Sequence, residues 1–313
     1  MANCHSLFQT FHKEISIPTA KRDSMIISRD KLRERIRKHF QKNHPGYYPK
    51  FYIQGSLKMK TGIRTKDDIC DLDDGVYFFR EPDVSATTLQ IWVKEAVDGY
   101  AGTPPQHRKK CVRSIFAKDY DIDMPVYYKV ENKEYQLTVK NNGFEDSDPK
   151  AMVKWFIDRK DAGGQLVRIV KCLKAWCDYL RNKMPSGLAM TILATNAKEK
   201  FIYNERDDIT LRDTLKEIKK ALELGFECIV PVVPRDDLFA EYDDTRRGNF
   251  LKALDEFITD AEEALREPNQ LKASKLWKNH LGSRFPEGVD KEKDQKLHVG
   301  IITGASRANP WGR

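Results

Sequence analysis

Strand-like segments are confined to the first half of this chain, whereas the second half contains only helix-like segments. Short runs rich in β-branched and aromatic residues predict strands at 51–56, 71–79, 110–118, 121–130 and 133–139. Apolar residues at helical spacing predict helices at 22–42, 85–100, 151–160, 163–183, 186–201, 210–226, 249–267 and 273–285. We therefore predict an α+β protein, with a mixed sheet lobe and N-terminal helices at 1–147 and an all-α lobe at 148–313.

The charge balance favours partners that carry phosphate. The 313 residues include 55 Lys and Arg against 47 Asp and Glu, a formal charge of +8. Nucleotides fit such a balance, and a nucleic acid is allowed by it but not required. We expect a ligand cleft between an acidic sheet and a basic helical wall, since clefts between lobes are favoured places for small ligands.

Several other classes of protein are not indicated. No stretch approaches the ~20 apolar residues of a membrane span, and the N-terminal segment lacks the apolar core of a signal peptide. A cytoplasmic protein without membrane contact is expected. The cysteines and histidines do not have zinc-site spacing, and neither a Walker-type nor a dinucleotide-type glycine loop is present.

The run DLDDGVYF is the first segment whose residues predict a metal site. Side chains alternate along a strand, so Asp71 and Asp73 project from one face and Leu72 from the other. Two carboxylates held close together repel each other unless a cation lies between them. Mg²⁺ or Mn²⁺ is the natural occupant, because hard cations prefer oxygen ligands.

The same run has two other interpretations. A calcium loop that places Gly75 at its sixth position would have Cys70 and Leu72 at positions that require carboxylates, so that interpretation fails. A solvated acidic strand end remains open for an isolated D-x-D.

A second acidic run, DYDIDMP, offers further carboxylates at Asp119, Asp121 and Asp123. A neighbouring strand could bring one of them beside the first pair, and three carboxylates suffice for two metal ions. All three share a face, so alternation alone does not select among them.

A Gly-Ser turn precedes the first acidic run. Gln54, Gly55 and Ser56 follow an apolar strand, where glycine lets the backbone approach a phosphate and the serine hydroxyl can donate to it. Such a dipeptide after a strand is more often only a turn.

The combination resembles a known family. The segments QGSLKMKTGIRT, CDLDDGVYF and DIDMPVYY are similar to the polymerase-beta-like nucleotidyltransferases, and most closely to the bacterial CD-NTases, relatives of cyclic GMP-AMP synthase and oligoadenylate synthase. The resemblance continues through RIVKCLKAWCDYL, PSGLAMTIL and SKLWKNHLGSRFP, so it covers most of the chain. It implies a polymerase-beta-like sheet lobe packed on an oligoadenylate-synthase-like helical lobe, with the active site between them.

The resemblance also assigns roles to residues. It implies that Asp123, directly ahead of an apolar residue and Pro, completes a catalytic and metal-binding triad with Asp71 and Asp73, holding two Mg²⁺ or Mn²⁺ ions. It implies triphosphate contacts from Gln54, Gly55, Ser56, Ser186 and one lysine. Lys174 is the favoured lysine, and Lys171, one turn earlier, is the alternative. More commonly, two such lysines only cover the solvent-exposed face of a helix.

The implied reaction joins nucleoside triphosphates, ATP among them with the second base unspecified, into a cyclic di- or trinucleotide. The family context implies an anti-phage signalling operon with a downstream effector and regulatory proteins. Some relatives are attached to targets through a small C-terminal residue, a feature that the terminal Arg313 leaves open. The alternatives are a linear oligonucleotide or RNA-tailing enzyme, a nucleotidylating toxin, and a non-catalytic RNA- or nucleotide-binding module.

Two tyrosines and one charged loop are candidates for base recognition. Tyr128 and Tyr203 are candidates for stacking on bases, although packing is the default role of such rings. A charged loop with Asp236, Asp237, Asp243, Asp244, Arg246 and Arg247 is a candidate reader of a base edge or a solvated turn.

Overall fold

A computed structural model describes residues 2–116 and 119–290 of the chain. Its helices are α1 His5–Ile15, α2 Thr19–Asn43, α3 Gly55–Met59, α4 Ala86–Val97, α5 Pro149–Arg159, α6 Gln165–Leu180, α7 Gly187–Lys198, α8 Asp207–Leu224, α9 Asp244–Arg266 and α10 Gln270–Leu281. Its strands are β1 Lys50–Gln54, β2 Cys70–Phe78, β3 Gln106–His107, β4 Val112–Phe116, β5 Tyr120–Met124, β6 Val126–Tyr128, β7 Gln136–Val139 and β8 Gly143–Asp146. Within these residues, none of the helices has the length and apolarity needed to cross a membrane.

One mixed sheet carries all of these strands. Its order is β3-β4-β5-β2-β6-β7-β8, and β1 pairs with β2 outside that path. The central strand β2 is antiparallel to β1 and parallel to both β5 and β6. Pro125 has no N–H to donate, and it separates β5 from β6 within the segment predicted as one strand. The predicted α+β fold, with its sheet and its helical C-terminal part, is confirmed.

The sheet and the C-terminal helices have separate apolar cores. Leu72, Val76 and Phe78 of β2 pack with Leu32 and Phe40 of α2, all fully buried or nearly so. Helix α4 packs on the same side of the sheet. This arrangement leaves the opposite face of β2, with Asp71 and Asp73, free of α2 and α4.

The first helix packs on the C-terminal core although it begins the chain. Phe8 of α1 makes edge-on ring contacts with Trp277 and Phe285, each with centroids 4.9 Å apart. Phe11 is fully buried in the same cluster. The division at residues 147 and 148 stays a prediction, and the structure adds that α1 contributes to the helical core.

We expect His12 of α1 to make the fold weaker in mild acid. Burial, followed by the charges of Lys171 and Arg168 and opposed by Asp207, lowers the pKa of His12 from 6.5 to about 4. Between pH 6.5 and 4 the unfolded chain therefore binds a proton that the folded protein excludes, so the free energy of unfolding falls as pH falls through that window and levels off below it. Urea unfolding at several pH values should show a smaller loss for His12→Gln than for wild type. Parallel curves for the two proteins would contradict this assignment.

Candidate active site

Asp71 and Asp73 lie on the same face of β2 and line one cavity. Between them, Leu72 is fully buried in the sheet core, as alternation predicts. Asp74 points the other way and accepts two hydrogen bonds from Arg33 of α2, at 2.7 and 2.5 Å. Only two of the three neighbouring acids therefore face the cavity.

The second acidic run lies directly beside the first. Strands β2 and β5 are parallel, and their register pairs Asp71 with Asp121 and Asp73 with Asp123. Laterally paired residues project from the same face of a sheet, so these four carboxylates share one surface. Asp119 precedes β5 and forms an ion pair with a lysine of α2, which separates it from the group.

A guanidinium group lies among these carboxylates. Arg113 of β4 is paired with Asp123 of β5, and its Nε and Nη2 donate to the two oxygens of Asp123 at 2.7 and 2.6 Å. Its Nη1 donates to Asp121 at 2.6 Å, and Nη2 lies 3.7 Å from an oxygen of Asp71. Arg113 is not among the residues predicted from the sequence. The available signal was a lone arginine within the strand-like run KCVRSIFAK, beside the acidic run.

The Gly-Ser turn packs against Asp73. Gly55 begins α3 with φ of +61°, and a Cβ at this position would overlap the Asp73 carboxylate. Burial raises the pKa of Asp73 to about 7, with further increases from Asp123 and Asp71 and an opposing effect of Lys174. Burial and the neighbouring carboxylates thus disfavour the charged form of Asp73, and a cation close to it would favour that form again.

Gln54 ends β1 between two tyrosines. Its Nε2 donates to the Tyr127 hydroxyl at 3.0 Å, and its Oε1 accepts from the Tyr77 hydroxyl at 2.8 Å. The two tyrosine rings stack with centroids 4.6 Å apart. Gln54 lines the cavity, but its side-chain amide is hydrogen-bonded to these two tyrosines. Gln54 therefore fixes the start of the Gly-Ser turn.

The two rival lysines of α6 face different neighbours. Lys174 is buried, lines the cavity and donates to Thr61 Oγ1 at 3.0 Å. Burial lowers its pKa to about 8, and nearby Asp73 opposes that shift. Lys171 instead donates to Ser16 Oγ at 2.9 Å, next to α1. The structure thus brings Lys174, and not Lys171, to the cavity with Asp73.

Ser186 is the N-cap of α7. Its Oγ accepts from Ala189 N at 3.2 Å, and its neighbours Pro185 and Gly187 line the cavity. An N-cap serine satisfies a helix amide and keeps its hydroxyl hydrogen for another acceptor.

The cavity has a volume of about 760 Å³ and lies between the sheet and the C-terminal helices. Its sheet side includes Gln54, Gly55, Ser56, Asp71 and Asp73, and its other side includes Lys174, Asp178, Arg181, Leu188, Val232 and Asp236. The helical side therefore mixes apolar, acidic and basic groups, which corrects the expected basic wall.

The stacking candidates pack within the protein. Tyr128 is 7% exposed and contacts Phe144 edge-on at 5.0 Å. Tyr203 packs beside Phe201 at 5.3 Å. Neither tyrosine lines the cavity.

Most of the predicted charged loop has structural contacts. Asp237 accepts from two backbone amides, and Asp243 caps α9. Arg246 lies over the Tyr242 ring at 3.6 Å. Within this loop, Asp236 alone of the predicted residues lines the cavity. The C-terminal residue Arg313 lies outside the described residues.

One segment of this site is similar to a known sequence family. Residues 49–127, which carry the Gly-Ser turn and both acidic runs, match the family described as "Cyclic GMP-AMP synthase DncV-like, nucleotidyltransferase domain". The chain is 25% identical over 187 residues to a cyclic AMP-AMP-AMP synthase of Acinetobacter sp. (strain ATCC 27244 / 9458). That match covers 56% of this chain and 54% of the relative, so the chain spans about half the length of the curated relative.

Solved structures share the fold over nearly the whole chain. The Vibrio cholerae DncV cyclic AMP-GMP synthase has a TM-score of 0.79 at 17% identity, covering 91% of this chain and 98% of that one. The Bradyrhizobium diazoefficiens CD-NTase CdnG in complex with GTP has a TM-score of 0.75 at 13% identity, covering 90% and 95%. The Escherichia coli DncV in its 3'-deoxy GTP bound form has a TM-score of 0.75 at 18% identity, covering 87% and 93%.

Proposed function

Because residues 49–127 match the DncV-like nucleotidyltransferase domain, we propose that the chain joins nucleoside triphosphates into a cyclic di- or trinucleotide, with release of pyrophosphate. The observation that carries this proposal is the parallel register that sets Asp71 and Asp73 beside Asp123, next to a Gly-Ser turn on the wall of one cavity.

The proposed metal ligands are Asp71, Asp73 and Asp123, for two Mg²⁺ or Mn²⁺ ions. Among residues 2–116 and 119–290, no group of three or more His, Cys, Asp and Glu side chains is arranged to hold an ion. The donor set nevertheless fits, because its carboxylate oxygens suit hard cations and the register of β2 and β5 places four acidic side chains on one face. Bound ions of this kind activate an attacking hydroxyl and stabilise the leaving pyrophosphate.

The chain's own residues would position the donor nucleotide. Ser56 lies on the cavity wall at the turn that packs against Asp73, where its hydroxyl can donate to a phosphate. Lys174 approaches the same space from α6, and Ser186 contributes from the start of α7. Asp123 would also accept the proton of the acceptor ribose hydroxyl, as the resemblance implies.

The substrates are proposed to be ATP and a second nucleoside triphosphate. A mutant of Vibrio cholerae DncV has been solved in complex with ATP and GTP, and Vibrio cholerae DncV has been solved with the linear intermediate 5' pppA(3',5')pG. By analogy, the intermediate turns over in the cavity so that its triphosphate becomes the donor for ring closure. The product would activate an effector in cytoplasmic anti-phage defence, with regulatory proteins from the same operon.

The test is to incubate the protein with four labelled ribonucleoside triphosphates and Mg²⁺ or Mn²⁺, and then with phosphatase. A phosphatase-resistant product, absent for the Asp71→Ala/Asp73→Ala variant, is expected, and omission of single triphosphates identifies its bases. Phosphatase-sensitive chains would replace this proposal with a linear polymerase. Nucleotide binding without pyrophosphate release, tested with both metals, would indicate a binding module.

We expect Lys174→Met to raise the KM for ATP by about tenfold or more, because a hydrogen bond to a charged group contributes about 1.5–3 kcal/mol. Lys171→Met is the matched control, since Lys171 is also buried in α6 but faces Ser16. Steady-state kinetics of both variants would separate them. A raised KM in the Lys171 variant alone would reverse the assignment.

A further inference from the structure

Arg113 binds both carboxylate oxygens of Asp123. The two bonds, at 2.7 and 2.6 Å, have the paired geometry that makes arginine-carboxylate interactions strong. The same guanidinium donates to Asp121 and lies 3.7 Å from Asp71. Arg113 is therefore the shared partner of three of the four carboxylates on this surface.

Asp123 can join Asp71 and Asp73 at a common ion only in competition with Arg113. Each carboxylate oxygen has two lone pairs, and Arg113 already takes one at each oxygen of Asp123, while the Cys111 thiol lies 3.4 Å from Oδ1. The guanidinium also repels a cation that approaches the lone pairs that remain. The geometry points to Arg113 as an internal counter-cation of the acidic site, with which a divalent ion must compete for the oxygens of Asp123.

The charges on this face explain why such an exchange is favourable. Asp71, Asp73, Asp121 and Asp123 project from one surface, and the single positive charge of Arg113 offsets only part of their repulsion. Divalent ions offset more of it and make the guanidinium unnecessary there. Arg113 thus holds the carboxylates together before an ion binds and competes with that ion afterwards.

Another role for Arg113 predicts the opposite effect on metal affinity. A group that only orients a metal ligand strengthens binding, and its removal weakens metal affinity about 10–100-fold. A neutral partner of that kind does not repel the ion, whereas Arg113 carries a full positive charge beside both oxygens. This charge favours competition over support.

The test measures Mn²⁺ affinity from the free-ion electron paramagnetic resonance signal, without nucleotide. It uses wild type, Arg113→Met and Arg113→Lys, with Asp71→Ala/Asp73→Ala as the background. Arg113→Met should bind Mn²⁺ about tenfold more tightly, on the scale of such neighbouring groups. Arg113→Lys keeps the charge but loses the two-pronged geometry and should lie between. Arg266→Met is the control, since Arg266 is exposed at the end of α9 and pairs with Glu262 there, and it should remain within about twofold of wild type.

Thermal unfolding adds a second readout. In the presence of chelator, Arg113→Met should melt at a lower temperature than wild type, because its carboxylates lose their counter-charge, and Mn²⁺ should restore much of the difference. Unchanged or weaker Mn²⁺ binding by Arg113→Met overturns the inference. If Arg113→Met does not fold, Arg113→Lys tests the inference instead. Competition between Arg113 and the ion requires Arg113→Lys to bind Mn²⁺ more tightly than wild type.

This inference rests on the proposed metal site, and the same titration separates the two. If wild type binds Mn²⁺ no better than Asp71→Ala/Asp73→Ala, the proposed metal site itself fails. If wild type binds specifically and removal of Arg113 does not tighten binding, the proposed function stands and the role of Arg113 is wrong.

Discussion

Replacing Asp73 with Asn will lower the rate of product formation by at least about a thousandfold, because loss of this proposed metal ligand would remove several kcal/mol of transition-state stabilisation. The fold should survive. Asp73 has a pKa raised to about 7 by burial and by Asp123 and Asp71, so its charged form weakens the folded protein at higher pH. Loss of that charge should leave the melting temperature equal or higher.

Asp119→Asn is the matched control for this variant. Asp119 belongs to the same acidic run but pairs with Lys21 and is not part of the cavity wall. Its rate should stay within about threefold of wild type, the scale expected from loss of a surface ion pair. Turnover of triphosphates and melting temperature would be measured for both variants. Normal turnover by Asp73→Asn would remove Asp73 from the reaction.

Replacing Gly55 with Ala will reduce activity by about a hundredfold or more. The new methyl group has to occupy the space of the Asp73 carboxylate, and displacement of a reacting group by about 1 Å is enough for such a loss. The left-handed backbone at Gly55 adds about 1–2 kcal/mol of strain for any residue with a Cβ. The variant should therefore be both less active and less stable.

Gly143→Ala separates these two effects. Gly143 also has a positive φ, +81°, but nothing lies within 4 Å of a Cβ placed there. Its variant should lose stability by a similar backbone strain and keep wild-type activity. Equal activity of the two alanine variants would show that the close contact between Gly55 and Asp73 does not affect product formation. Urea unfolding and product formation provide the two readouts.

The placement of Asp71 and Asp73 was predictable because it depends on local geometry. Alternation along β2 fixes which residues share a face, and the buried Leu72 between them shows the rule at work. The change from strand-like to helix-like patterns near residue 148 is also local, and the observed elements follow it: β8 ends at Asp146 and α5 begins at Pro149. The resemblance supplied the choice of Asp123, which alternation left open.

The expected basic wall was wrong for a reason that composition could not reveal. Many of the basic side chains are used elsewhere. Arg168 forms an ion pair with Asp207 in the helical lobe. Arg33 forms an ion pair with Asp74 on the face of the sheet opposite the cavity. Net charge counts such groups equally with those that face the cavity, so it indicates a class of partner and not the charge of one surface.

The sequence by itself determined the change from a strand-rich first half to a helical second half, the shared face of Asp71 and Asp73, and the Gly-Ser turn before them. These follow from periodicity and backbone preference within a few residues. Only the tertiary structure decided that Lys174 rather than Lys171 reaches the cavity, that Arg113 binds Asp123, and that α1 packs on the distant C-terminal core. Periodicity indicates which side of a helix or strand is buried. Which neighbour covers it depends on contacts between segments far apart in the chain, and no local pattern encodes their pairing.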